Sequence, residues 1–256
     1  MIPFHSAVPI SSLRKITQTM HDSISRVATG LRVMGGNDAG SQSLANTLNA
    51  HAAGFDAAES NSESGITLLK LAESALLEIN NLATRIKELG IADDLSTNTT
   101  SDTAALNAEA VFVSDTIDSI VSSLTYNGVN VLATSARTFN VGINDAGDTQ
   151  QIKSTTGISA TNINDATNAD TSMDTTIGEI TQSLGALSGS MIALKAYQSV
   201  ATTTAAHLRQ AASNLEDTDF AQETAKLTKQ SLIKNYALAM VATANAEEME
   251  KLKLLA

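Results

Sequence analysis

Apolar residues recur at alternating steps of three and four from Ile66 through Leu69, Ala72, Leu76, Ile79, Leu82 and Ile86 to Leu89. This spacing keeps one stripe of a helix against a neighbour and marks a coiled-coil seam. The pattern returns at Leu106, Ala110, Val113, Ile117, Ile120 and Leu124. It appears a third time at Ile177, Ile180, Leu184, Leu187, Met191 and Leu194, fading through Ala201 to Leu208 and Leu215. Three seams predict long helices folded back on one another as an antiparallel bundle. The first helix starts near Gly40, because Leu44, Leu48, Phe55 and Ala58 already sit at helical spacing. The polar stretch from Gly90 to Thr103 has the length of a connection that reverses a helix onto its neighbour.

The two ends carry helical patterns of their own. Leu13, Ile16, Met20, Ile24, Val27 and Leu31 form an N-terminal seam that stops at Gly35-Gly36, where a hinge is expected. Near the other end, Asp219 followed by Gln222 has the form of a capping box, so a last helix is expected from about 219. Its apolar positions are Phe220, Leu227, Ile233, Tyr236, Met240, Met249, Leu252 and Leu255, among many alanines. No glycine or proline follows Gly189, which favours long helix to the end of the chain. Helices of that length in an aromatic-poor chain need burial from other chains, and the expected molecule is an elongated rod.

Between the second and third seams the period changes. Tyr126-Asn-Gly-Val-Asn-Val-Leu132 carries an Asn-Gly turn signal, and Thr138 to Ile143 alternates before a polar turn at Asn144 to Gly147. A small β-hairpin over about 126–153 is expected, with Gln150 to Lys153 as the return strand. Residues 154–176, rich in Thr, Asn, Asp and Ser, read as loop.

Charge divides the chain in the same way. Residues 1–40 hold four basic groups against two acidic ones, and residues 219–256 hold five of each sign, so of the net charge of −11 the centre carries −13. Two nearly neutral ends around an acidic centre indicate ends that associate and a centre that faces water. The domains expected are therefore 1–40 with 219–256, and a coiled-coil rod over 41–218. The acidic balance argues against nucleic acid as a partner. No apolar run reaches the length of a membrane span, and the N-terminus lacks the regions of a cleaved signal.

Candidate chemistry is sparse. His5, His21, His51 and His207 are scattered with no pairing at helical spacing, there is no cysteine, and Gly30, Gly35, Gly36 and Gly40 lack the lysine of a phosphate-binding loop. Carboxylate pairs such as Glu216-Asp217 and Glu247-Glu248 sit at helix ends or on solvated faces. No catalytic, metal or cofactor site is expected.

Several blocks, in order, resemble bacterial flagellins. Arg26-Val-Ala-Thr-Gly-Leu-Arg-Val33 and Asn37-Asp-Ala-Gly-Ser-Gln-Ser-Leu-Ala-Asn46 are similar to the family's Arg-Leu-Ser-Ser-Gly-Leu-Arg-Ile and Asp-Asp-Ala-Ala-Gly-Gln-Ala-Ile-Ala-Asn. Leu77-Glu-Ile-Asn-Asn81, Thr84-Arg-Ile-Lys-Glu-Leu89 and Tyr126 to Leu132 follow at the family's spacing. Asn214-Leu-Glu-Asp-Thr-Asp-Phe-Ala221 resembles Arg-Ile-Glu-Asp-Ala-Asp-Tyr-Ala, and Val241-Ala-Thr-Ala-Asn245 lies near the end. The chain departs from the pattern in a shorter N-terminus, a shorter Gly35-Gly36 link and Ala246-Glu-Glu-Met249. It resembles a minimal flagellin, because about 45 residues separate Leu132 from Ile177 and leave no room for large outer domains.

The resemblance implies a mainly α chain with paired N- and C-terminal helices, exported through the flagellar type III apparatus to an extracellular filament. It implies a homo-polymer of identical subunits whose contacts lie on the terminal helices, with an export chaperone and cap and junction proteins as partners. A hook-filament junction protein is the alternative. The resemblance also assigns contact with a Toll-like receptor of innate immunity to Arg85, Leu89 and Glu109, of which Arg85 and Leu89 share a helix face.

Overall fold

In the computed structural model, the described residues are 4–32, 39–158 and 166–254. Along them run α1 (Phe4–Thr29), α2 (Ala39–Asp93), α3 (Thr100–Ser123), β1 (Thr125–Tyr126), β2 (Val129–Asn130), β3 (Arg137–Gly142), β4 (Thr149–Thr155), α4 (Ala169–Glu216) and α5 (Phe220–Leu254). The fold is mainly α, with small antiparallel β ribbons. Two compact units divide it, His51–Ala206 and Met1–Ala50 with His207–Ala256, and the division falls inside α2 and α4.

The unit His51–Ala206 is built on the three seams. Lys87 pairs with Asp174, and Gly90 lies against Asp170, so as α2 advances α4 recedes and the two helices run antiparallel. Leu69, Leu76, Ile79 and Ile86 of α2 join Ala110 and Ile117 of α3 and Met173, Ile180, Leu187 and Leu194 of α4 in one buried core. Helix α2 runs past the expected turn at Gly90 to Asp93. A Cβ at residue 90 would lie 2.7 Å from the backbone nitrogen of Asp170, so glycine here permits close helix approach and does not end the helix. The connection shrinks to residues 94–99, and Thr99 with Asp102 forms a reciprocal capping box at the start of α3.

Helix α4 begins at Ala169, several residues before the apolar letters predicted. Its buried line runs Met173, Thr176, Ile180, Ser183 and Leu187; two of these are polar, and Thr176, ahead of the expected seam, hid the helix start. Ser183 has a reason to be there. Its hydroxyl accepts the Thr156 amide at 3.0 Å and meets the Thr155 and Thr156 hydroxyls at 3.2 and 2.9 Å, fastening the end of β4 to α4. The expected hairpin over 126–153 is in fact two. β1 and β2 close over Asn127 and Gly128, both at positive φ as a two-residue turn requires, while β3 pairs with β4 from Arg137↔Thr155 to Gly142↔Thr149. Part of the expected 154–176 loop is therefore strand and helix.

In the other unit, α1 ends at Thr29, ahead of the expected Gly35-Gly36 hinge, which lies outside the described residues. Gly30, at φ +73°, donates its amide to the Arg26 carbonyl at 2.8 Å and closes α1 in the left-handed conformation that favours glycine. The last helix starts where Asp219 places it in the sequence. α4 stops at Glu216 and α5 starts at Phe220, without glycine or proline between them. The break is made by pairing at a distance in sequence, since the Thr218 amide donates to the Gly30 carbonyl at 2.9 Å and the Arg32 amide to the Glu216 carbonyl at 2.6 Å.

Candidate functional site

The terminal helices α1 and α5 pack antiparallel. Arg26 reaches Glu223 at 3.5 Å, and Gly30 lies beside the Phe220 ring. Asp219 caps α5 by accepting the Gln222 amide at 3.0 Å, as its sequence position predicts. On α1 the half-buried positions are led by Leu13, Ile16, Met20 and Val27, with Ser23 buried among them. On α5 the covered positions are Glu223, Leu227, Gln230, Lys234, Ala237, Val241 and Ala244, in steps of four and three. This is the α1-facing seam, and only Leu227 of it was expected as a contact.

The other expected α5 positions lie elsewhere. Phe220 and Ile233 are exposed, Tyr236 is 73% exposed and Met240 67%. Leu232 and Leu238 are exposed as well, and so are Ile24 on α1 and Leu31 just beyond its end. The side chain of Leu252 and the whole of Leu255 lie outside the described residues. Asn235 to Ala246 carries no charged side chain, so this part of α5 has no water-adapted face. Large apolar residues at 232, 233, 236, 238 and 240 obscured the inward seam in the sequence; the four-and-three spacing from Glu223 was the signal available.

Glu223 is the buried charge of the pair. A 2.9 Å hydrogen bond from Lys226 holds its carboxyl below the usual glutamate range, with help from Ser23 and Arg26 and against the opposing effect of burial. Its second oxygen, together with the Thr218 hydroxyl and the Gln230 carbonyl oxygen, is buried without a hydrogen-bond partner. In the bundle unit, Asp118 is pushed up by burial and by Asp115, while Asp102 is held low by the Thr99 hydroxyl and then the Thr99 amide. Among the described residues no group of metal-binding side chains comes together, and no helix is long and apolar enough to cross a membrane.

Arg85 and Glu109 are brought together, Leu89 apart from them. The Arg85 Nε and a terminal nitrogen donate to one Glu109 oxygen at 2.9 and 2.7 Å, joining α2 to α3, and Arg85 also reaches Glu88 at 3.3 Å. These bonds, Glu109 foremost, raise the guanidinium pKa. Leu89 is 2% exposed and belongs to the bundle core, so its side chain presents no surface.

A helical body with a complete core and a terminal pair whose outer face is left open has the form of a structural subunit that is finished by assembly. The comparisons agree. The model of the bacterial flagellin N-terminal helical region matches residues 6–138. A flagellin of Halalkalibacterium halodurans is 30% identical over 90% of this chain and 89% of its own length. The phase 2 flagellin of Salmonella typhimurium is 34% identical over 61% of this chain, which spans only 32% of that protein. The crystal structure of Bacillus cereus flagellin aligns at a TM-score of 0.40 and 24% identity, covering 58% of this chain and 88% of that one. The chain belongs to the bacterial flagellin family, whose members are structural subunits of the flagellar filament outside the cell. Nothing in these matches favours the junction-protein alternative.

Proposed function

We propose that this chain polymerises with copies of itself through α1 and α5, and that the outer face of α5 is covered by neighbouring subunits. The uncharged stretch Asn235 to Ala246, with Tyr236 and Met240 standing in water, carries the reading. Contacts between unlike faces of identical chains that do not close into a ring generate an open helical polymer. The near-neutral ends suit burial, and the acidic centre makes polymer stability depend on salt. Export through the flagellar type III apparatus, with a chaperone, cap and junction proteins as partners, follows from family membership as part of the same proposal. Deleting residues 219–256 is expected to abolish polymer in sedimentation and electron microscopy while the bundle stays helical by circular dichroism. Filaments of normal length from that deletion contradict the proposal.

A second reading concerns the bidentate Arg85–Glu109 pair, half-exposed on α2 and α3. It offers a rigid charged surface for the innate receptor, with Leu89 supporting α2 from inside the core and not touching the receptor. Arg85→Ala monomer is expected to lose signal in a receptor reporter assay; signal equal to the unmodified monomer removes this site.

A further inference from the structure

The end of α1 and the junction between α4 and α5 are fastened by a short antiparallel clasp. Leu31 and Asp217 face each other as a bridge pair, flanked by the Arg32→Glu216 and Thr218→Gly30 backbone bonds. The Arg32 guanidinium adds a third tie by donating to the Leu215 carbonyl at 3.0 Å. A cation is thereby placed on the last carbonyls of α4, where the helix dipole favours positive charge. Within α5, beyond the clasp, the seam begins with Glu223, which Arg26 meets from α1.

We infer that Arg32 is a positioning residue for assembly: it holds the clasp closed, and the closed clasp sets the register in which α1 and α5 pair to present the polymerising face. This rests on the reading of α1 and α5 as the assembly helices. The physical reason is that α1 and α5 alone specify their register poorly. Among their described side chains no apolar group is fully buried, and small residues such as Ala237 and Ala244 on the seam discriminate little against a slip of one turn. Backbone hydrogen bonds at one end, by contrast, fix a single alignment, and the Arg32 side chain ties that alignment to the end of α4. The clasp lies at the break between α4 and α5, beside the Asp219 cap that the sequence already marks.

The chain has no cysteine, which makes the test clean. Leu31 and Asp217 form a pair that does not exchange its own backbone bonds, the arrangement whose Cα separation of about 4.5 Å suits a disulfide. A Leu31→Cys/Asp217→Cys double variant is expected to cross-link rapidly within one chain under mild oxidation and, once cross-linked, to polymerise at least as readily as its own reduced form. Arg32→Ala is expected to raise the critical concentration about tenfold, the effect of losing a charge-assisted tie. Adding the oxidised pair to Arg32→Ala is expected to restore assembly, and reductant to abolish the rescue, with the Tm of the bundle unit the same in Arg32→Ala as in the unmodified chain. Cross-linked chains that fail to polymerise while their reduced form succeeds overturn the inference, as does unchanged assembly of Arg32→Ala. The cross-linking rate separates this inference from the polymer reading. If the unmodified chain never polymerises, the reading of the terminal helices fails, and the clasp is judged by whether Arg32→Ala slows the cross-link severalfold. An equal rate overturns it.

Discussion

The bundle unit and the terminal pair are built from similar helical sequence and reach opposite states of completion. In the bundle, Leu69, Leu76, Ile79, Ile86, Ile117, Ile180 and Leu194 are fully buried, and β4 adds Ile152 to the same core. In the described part of α1 and α5, the buried side chains are Ser23 and Glu223, while every apolar one is half-covered or exposed. Two helices alone cannot enclose the side chains that both project around their circumference. The bundle adds a third helix and a hairpin to solve this, and the terminal pair has no such addition among the described residues. The difference teaches where each unit's stability comes from under the proposed function: internal packing in one, association in the other.

The largest effect expected from breaking this contrast is in the bundle. Leu76→Ala opens a cavity at a fully buried seam position and is expected to cost about 2–5 kcal/mol, read as a lower Tm by calorimetry. Tyr236→Asp with Met240→Asp is expected to leave that Tm unchanged and to raise the critical concentration for polymer about a hundredfold, since charge is buried wherever a neighbour covers these positions. Gly90→Ala forces a methyl against the Asp170 backbone and is expected to lower bundle stability by about 1–3 kcal/mol, with assembly affected only through folding.

Acid sharpens the comparison from the other side. The Glu223 carboxyl is held low, chiefly by Lys226 within α5, so its contribution to the folding of the terminal unit is fully present above the ordinary glutamate range and is lost as pH falls through its depressed folded value. Polymer should therefore weaken in acid below that range, and Glu223→Gln should be weaker at neutral pH with less further change on acidification. Turbidity across a pH series for both chains reads this directly. The smallest effect is expected at the surface pair, where Arg85→Ala should leave the bundle Tm without measurable change because both partners face solvent.

The bundle was legible in the sequence because Leu and Ile occupy most of its seam positions, and the Asn127-Gly128 turn because both residues suit positive φ. What escaped was polar residues doing core work. Thr176 hid the start of α4, and Glu223, Gln230 and Lys234 hid the inward face of α5 behind the larger apolar residues on its outside. The start of α5 was legible at Asp219, but the backbone ties that fasten the preceding turn to Gly30 and Arg32 lie far away in the chain, and local propensity does not encode them. Arg85 and Glu109 bond to each other, and the position of Leu89 on the seam already placed it toward the core.

The central claim is that the outer face of α5 is closed by copies of the same chain. Hydroxyl-radical footprinting of monomer and polymer, read by mass spectrometry at Tyr236 and Met240, tests it most directly. Both side chains should react readily in the monomer and become strongly protected in the polymer. Equal reactivity in the two states contradicts the account.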